Sequence, residues 1–128
     1  MDMLSRNSLL LLERSMNFLW TKQRVILDNV SNAETPGYRA KTVTFEETLR
    51  DRLQRADGAD ASGEAMRKAL MGAKPVVREL PGITRMDDNG VNVTEQSLEM
   101  VRNAYQLQYV MSAMNSELTT LRMAARGQ

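Results

Sequence analysis

A chain of 128 residues has the length of one domain, and 17 basic against 16 acidic residues leave a net charge of +1, so no charge field concentrates nucleic acid or anionic lipid. Hydrophobic residues make up 42% of the chain but aromatic ones only 5%, a balance suited to packed helices. With no cysteine and no histidine, disulfides, thiol chemistry and Ser–His or Cys–His pairs are excluded, and zinc would need a carboxylate-only shell; no enzyme activity, cofactor or metal site is expected.

The first element is a helix. From about Leu4 to Val30, Leu9, Leu12, Met16, Leu19, Gln23, Ile26 and Val30 alternate spacings of three and four, the pattern of a coiled-coil seam on a helix about 40 Å long. Only Gln23 breaks the apolar run. Trp20 and Leu27 widen the stripe, and Arg14, Lys22 and Arg24 mark wetter faces. The run Leu9-Leu10-Leu11-Leu12 is closed by Glu13 and Arg14, and Met1-Asp2-Met3 lacks a basic region. Neither a cleavable secretory signal nor a membrane span of roughly 18 apolar residues is expected.

Asn29-Val30-Ser31-Asn32-Ala33-Glu34-Thr35-Pro36-Gly37-Tyr38 stops that helix. Pro36 presets φ for the second position of a turn and Gly37 supplies positive φ for the third, a type II turn. Pro36 also drives Thr35 out of the helical region. The asparagines can bond local backbone and finish a helix in place of glycine. By turn chemistry alone, this is a helix-terminating loop that redirects the chain with fixed geometry.

The middle changes character. Thr42-Val43-Thr44-Phe45 has strand composition, and Phe45 to Leu53 could form about two helical turns with Phe45, Leu49 and Leu53 on one face. Ala56 to Ala73, rich in Ala, Gly, Asp and Ser, shows no sustained stripe and is expected to be mobile or ordered by a partner. Pro75 and Pro81-Gly82 punctuate two extended pieces, Val76-Val77-Arg78 and Ile83-Thr84-Arg85. Asp87-Asp88-Asn89-Gly90 partly resembles a calcium loop, but the twelfth position is Leu98 and not the bidentate Glu such a loop needs; it is a turn.

A second helix follows. Met100, Ala104, Leu107, Met111, Met114, Leu118, Leu121 and Ala125 keep the three-four alternation without a polar break, and Leu98, Val101 and Tyr105 run beside them. Asn92 before Val93, with Glu95 three residues on, is a capping-box variant at its start, and Gly127 marks its end. The fold class is therefore mainly α: long N- and C-terminal heptad helices packed as a coiled-coil or helical hairpin around an irregular middle with short extended segments. One domain spans 1–128, with the first helix over 1–32, the turn and irregular middle over 33–92, and the last helix over 93–126. An intramolecular hairpin accounts for both stripes. Their two-sided apolar surface and ten methionines also suit faces that repack against neighbouring molecules.

Asn-x-x-Asn-Ala-x-Thr-Pro-Gly-Tyr, about thirty residues from the start, resembles the signature of the bacterial flagellar rod and hook family of axial proteins. Asn29, Asn32, Ala33, Thr35, Pro36, Gly37 and Tyr38 match it position by position; Val30 and Ser31 stand where the family often has Ile and Ala. At 128 residues there is room only for the short proximal-rod plan. Asp88-Asn89-Gly90-Val91-Asn92-Val93, then Glu99, then Asn103-Ala104-Tyr105-Gln106-Leu107-Gln108-Tyr109 is similar to the FlgB-type branch, as is the pair Phe45-Glu46. Leu107 takes the place of an expected tyrosine, flanked by Tyr105 and Tyr109. The sibling FlgC-type branch usually has an Asp/Ala-rich stretch ending in Gly-Tyr and Pro-Asn-Val before its last helix, and neither stands before the last helix here.

The resemblance implies a structural subunit of the basal body proximal rod, required for motility. It implies helical assembly through the terminal helices into a torque-transmitting drive shaft and export channel. Implied partners are further copies, FlgC-type and FliE-type rod proteins, the membrane ring and the export gate, with no nucleic acid, no small-molecule substrate and no integral membrane segment. Implied, too, is export by the flagellar type III system without a cleavable signal, to the rod in the periplasmic space. Leu9, Leu12, Met16, Leu19 and Ile26 would form one assembly seam, and Met100, Leu107, Met111, Met114, Leu118 and Leu121 the other. Terminal heptads with few partners gain little burial, so they are expected to be poorly ordered in the lone subunit. A non-polymerising helical adaptor or export chaperone explains the heptads equally, but gives no reason for Thr35-Pro36-Gly37-Tyr38.

Overall fold

The computed structural model describes residues 3–45, 63–81 and 90–127. The order is α1 (Met3–Ser31), β1 (Lys41–Thr44), α2 (Gly63–Gly72), β2 (Val76–Glu79) and α3 (Val93–Ala125). The fold is mainly helical, as the heptads predict. Helices α1 and α3, of 29 and 33 residues, run antiparallel: Ser8 meets Glu117 near one end and Asn29 meets Gln96 near the other. Both are formed in the single chain, against the expectation of poor order, because each supplies the other with the apolar surface that a lone heptad lacks.

The ends of α3 follow local chemistry. Asn92 sits at the N-cap with extended backbone, and its side chain accepts a hydrogen bond from the Glu95 amide at 3.3 Å, which satisfies one donor the first turn leaves open. Gly127 (φ +70°) lies beyond the last turn and its amide bonds Ala124 O at 3.2 Å, a glycine stop.

Strands β1 and β2 pair antiparallel, Lys41 opposite Glu79 through Thr44 opposite Val76, and the ladder extends through the Leu80 amide to Ala40 O at 2.8 Å. Both extended pieces were legible from their β-branched residues. The stretch Ala56 to Ala73 is corrected in part: it contains α2, which packs on α1. Ala69, Leu70 and Ala73 are buried, and Asn7 of α1 donates to Gly63 O at 3.0 Å. With Met66 these residues make an i, i+3, i+4, i+7 stripe, weak to the eye because two members are alanine. Beyond Phe45 the proposed helical turns, the extended Ile83-Thr84-Arg85 and most of the Asp87–Gly90 turn lie outside the described residues. Phe45 itself is buried and stacks on Phe18, ring centroids 5.0 Å apart.

Candidate functional site

The exit from α1 is built one bond at a time. Asn32 closes the helix: its amide and its side chain both donate to Asp28 O, at 3.1 and 2.8 Å. The Thr35 amide bonds Asn32 O at 3.0 Å, and the Thr35 hydroxyl donates to Asn32 Oδ1 at 3.3 Å. The Tyr38 amide then bonds Thr35 O at 3.2 Å, with Gly37 at φ +74°. Those are the features of a type II turn with proline second and glycine third.

Asn29 ties this turn to the rest of the molecule. It is 1% exposed and uses its full bonding capacity. Its Nδ2 donates to Lys41 O at 2.8 Å and to Gln96 Oε1 at 3.0 Å. Its Oδ1 accepts from the Lys41 amide at 2.9 Å and the Tyr38 hydroxyl at 3.1 Å. One side chain of α1 thereby holds the start of β1, the end of the turn and the first turns of α3. Beneath it, Ala33, Ala40 and Val91 form a small buried cluster covered by Tyr38. Burial raises the Tyr38 pKa, and the nearby Asp28 and Glu79 carboxylates add to the effect; the hydroxyl is held as a donor. Lys41 Nζ lies 5.8 Å from the Tyr38 ring centroid, within cation–π reach. Arg39 and Gly90 form a parallel bridge, and a Cβ on Gly90 would sit 2.5 Å from Tyr38 O. Only glycine allows that approach.

The seven motif residues are thus in one place. Asn29 and Ala33 are buried, Asn32 and Tyr38 half-buried, and Thr35, Pro36 and Gly37 exposed at the tip. Sequence reasoning did not identify Lys41, Val91, Gly90 or Gln96 as their partners: Gly90 and Val91 stand out only as part of the turn before α3, and Lys41 and Gln96 carry no signal of their own.

The seams divide differently. Leu19 and Ile26 are buried, and Leu9, Leu12 and Met16 half-buried, along α1. On α3, Met100, Leu107, Met114 and Leu121 are half-buried, while Met111 and Leu118 are exposed. The buried positions of α3 are Asn103 and Val110, one residue before Ala104 and Met111 of the apolar alternation. The cause is polar matching. Asn103 Nδ2 donates to Leu19 O at 3.1 Å and to Gln23 Oε1 at 2.8 Å, so the polar residue that interrupts the α1 seam meets one on α3. Gln23 was the only signal of the pair in the sequence, since Asn103 lies beside the unbroken apolar alternation of α3 and does not interrupt it. Glu99 joins the contact, 2.8 Å from Lys22 and 3.0 Å from Arg102. The hydrogen bond from Lys22 is the main cause that lowers its pKa.

Between the helices runs an open groove of about 470 Å3, walled by Phe18, Leu19, Phe45, Tyr105, Tyr109 and Val110. Its chemistry is that of a packing surface. Tyr105 and Tyr109 are 71% and 75% exposed, so Asn103, and not the tyrosines, carries the internal contact of that stretch. Among the described residues no helix is long and apolar enough to cross a membrane, and no group of three or more acidic side chains could hold a metal.

No protein-family model matches the chain. It is 26% identical over 116 residues to the flagellar basal body rod protein FlgB of Aeromonas hydrophila, covering 84% of this chain and 83% of the relative. It is similar to two further FlgB proteins. That of Escherichia coli K12 is 26% identical over 117 residues, with 83% of each chain covered. That of Bacillus subtilis 168 is 26% identical over 125 residues, with 91% of each covered. The likeness is to rod proteins. It extends well beyond the turn motif, because coverage this high must reach into both α1 and α3.

Proposed function

We propose that this chain is a structural subunit of the flagellar basal body rod, of the FlgB type. The observation that carries the reading is the near full-length similarity to FlgB proteins. It is supported by the motif residues, which in this fold form one bonded junction and not a scattered match. Subunits assemble helically through their terminal helices into the shaft that transmits torque and encloses the export channel, and motility depends on them. The partners are further copies and FlgC-type and FliE-type rod proteins, beside the membrane ring and export gate. The subunit reaches the periplasmic rod through the flagellar type III system without a cleavable signal. Its role is mechanical: the apolar residues left on the surface, among them Trp20, Leu98, Val101, Met111 and Leu118, supply lateral packing and not a reaction.

Electron microscopy of basal bodies from cells lacking this chain, beside a complemented control, tests the reading. The expected result is membrane rings without a rod, restored by complementation. Intact rods and hooks would remove the rod role and favour a helical adaptor or export chaperone. Placement of the subunit in the assembled rod separates it from the FlgC-type sibling: a position away from the rod base would favour the sibling.

A further inference from the structure

Helix α3 offers two apolar faces to α1 and uses the less apolar one. Both faces share the half-buried column Met100, Leu107, Met114 and Leu121. On one side of it lies the column Gln96, Asn103, Val110 and Glu117; on the other lies Ala104, Met111, Leu118 and Ala125. At 100° per residue, a rotation of α3 by about 50° would exchange them. Burial alone favours the second column, yet Ala104, Met111, Leu118 and Ala125 are all exposed, while Asn103 is 0% exposed.

The partner helix explains the choice. On α1 the facing positions include Ser8, Gln23 and Asn29, and each meets a polar residue of the first column: Glu117, Asn103 and Gln96. Against the second column these groups would be buried opposite alanine, methionine and leucine with nothing to bond, a costly arrangement. Asn29 and Gln96 fix one end of the pair. The Gln23–Asn103 layer is the enclosed contact between that end and the Ser8–Glu117 contact, which lies about 30 Å along the helix from Gln96. Its stabilising value is incomplete, because the buried Asn103 Oδ1 has no hydrogen-bond partner.

We infer that the buried Gln23–Asn103 layer selects which face of α3 docks on α1 and keeps the Ala104, Met111, Leu118 and Ala125 column outside. A single polar pair at a seam position can specify helix register in this way at some cost in stability. The inference concerns the single chain and holds whatever the chain assembles with.

The absence of cysteine makes a disulfide test direct. Ser8→Cys is combined with Glu117→Cys, which reports the observed face, or with Leu118→Cys, which reports the rotated one. Ser8→Cys removes the same hydroxyl from both. With Gln23 and Asn103 in place, the 8–117 disulfide should form at least about tenfold faster than the 8–118 disulfide. In the Gln23→Leu/Asn103→Ala background the ratio should fall below about threefold with helix content retained, since both polar partners are gone and alanine at 103 keeps the docked column the less apolar of the two. A ratio unchanged in that background, or no preference to begin with, overturns the inference. So does loss of helix in the double variant, because a layer that only chooses a face is dispensable for folding.

Discussion

The Tyr38 hydroxyl reaches back to Asn29 Oδ1 at 3.1 Å, joining the last residue of the turn motif to the first. The same oxygen accepts the Lys41 amide at 2.9 Å, so the turn and the strand after it are referenced to one side chain of α1. The motif's spacing is set by this closure: nine residues finish the helix, reverse the chain and return a phenol to the asparagine.

Removal of that asparagine should therefore cost more than removal of its neighbour. Asn29→Ala leaves the Lys41 amide and carbonyl, the Tyr38 hydroxyl and Gln96 without their partner, and should destabilise by about 3 kcal/mol. Asn32→Ala loses two more exposed bonds at the helix end and should cost about 0.5–1 kcal/mol. Urea unfolding followed by circular dichroism measures both. Equal losses would mean that the Asn29 bonds contribute no more than an ordinary helix stop.

The two glycines near Tyr38 matter for different reasons, which two substitutions at each separate. Gly37 has φ +74° and open space around a hypothetical Cβ, so the penalty there is backbone strain alone. Gly37→Val should cost about 1–2 kcal/mol and Gly37→Asn less, since asparagine tolerates that region. A Cβ on Gly90 meets Tyr38 O at 2.5 Å, so Gly90→Ala and Gly90→Asn should be similarly harmful, at about 1–3 kcal/mol. Asparagine rescue at 90 but not at 37 would reverse both assignments. In cells, Gly37→Val should reduce rod recovery and swimming; normal swimming would separate the turn geometry from assembly.

Much of this was readable in advance, and the failures share a cause. The long helices, the Asn92 cap, the Gly127 stop and the Pro36-Gly37 turn each depend on residues close in sequence, where periodicity and local stereochemistry decide. The face of α3 did not, because Asn103 is buried by a partner 80 residues away at Gln23, and an apolar alternation through Ala104 scores better in isolation. Helix α2 was missed for a related reason: Ala69 and Ala73 become core only when α1 lies over them. At the junction, the identities of Asn29 and Tyr38 were legible from the motif, but Lys41 contributes backbone groups, which no residue type announces.

Tyr38 and Glu99 set opposite pH limits. Burial raises the Tyr38 pKa in the folded chain, so its contribution is complete below the ordinary value of 10.0 and is lost as pH rises from there through the raised folded value. The Glu99 pKa is lowered chiefly by the hydrogen bond from Lys22. Its contribution is present above the ordinary 4.5 and is lost as pH falls through the lowered value. The Glu99 effect is a few tenths of a kcal/mol, since partly exposed pairs are screened. Stability curves of Tyr38→Phe and Glu99→Gln against pH should flatten on the alkaline and acid sides respectively. A flattening on the same side in both variants would contradict these causes.

Val110 and Leu118 separate folding from assembly. Val110 is 8% exposed between the helices, and Val110→Asp places an unpaired carboxylate there, which should destabilise the monomer by about 3 kcal/mol or more. Leu118 is 37% exposed in the outer column, so Leu118→Asp should leave the monomer within about 1 kcal/mol of the parent. If that column packs against neighbouring subunits, Leu118→Asp chains should nevertheless be absent from purified basal bodies while their cellular level is normal. Incorporation at parental levels would show that Leu118 faces solvent in the rod as it does in the single chain, and would move the lateral contact to another face of α3.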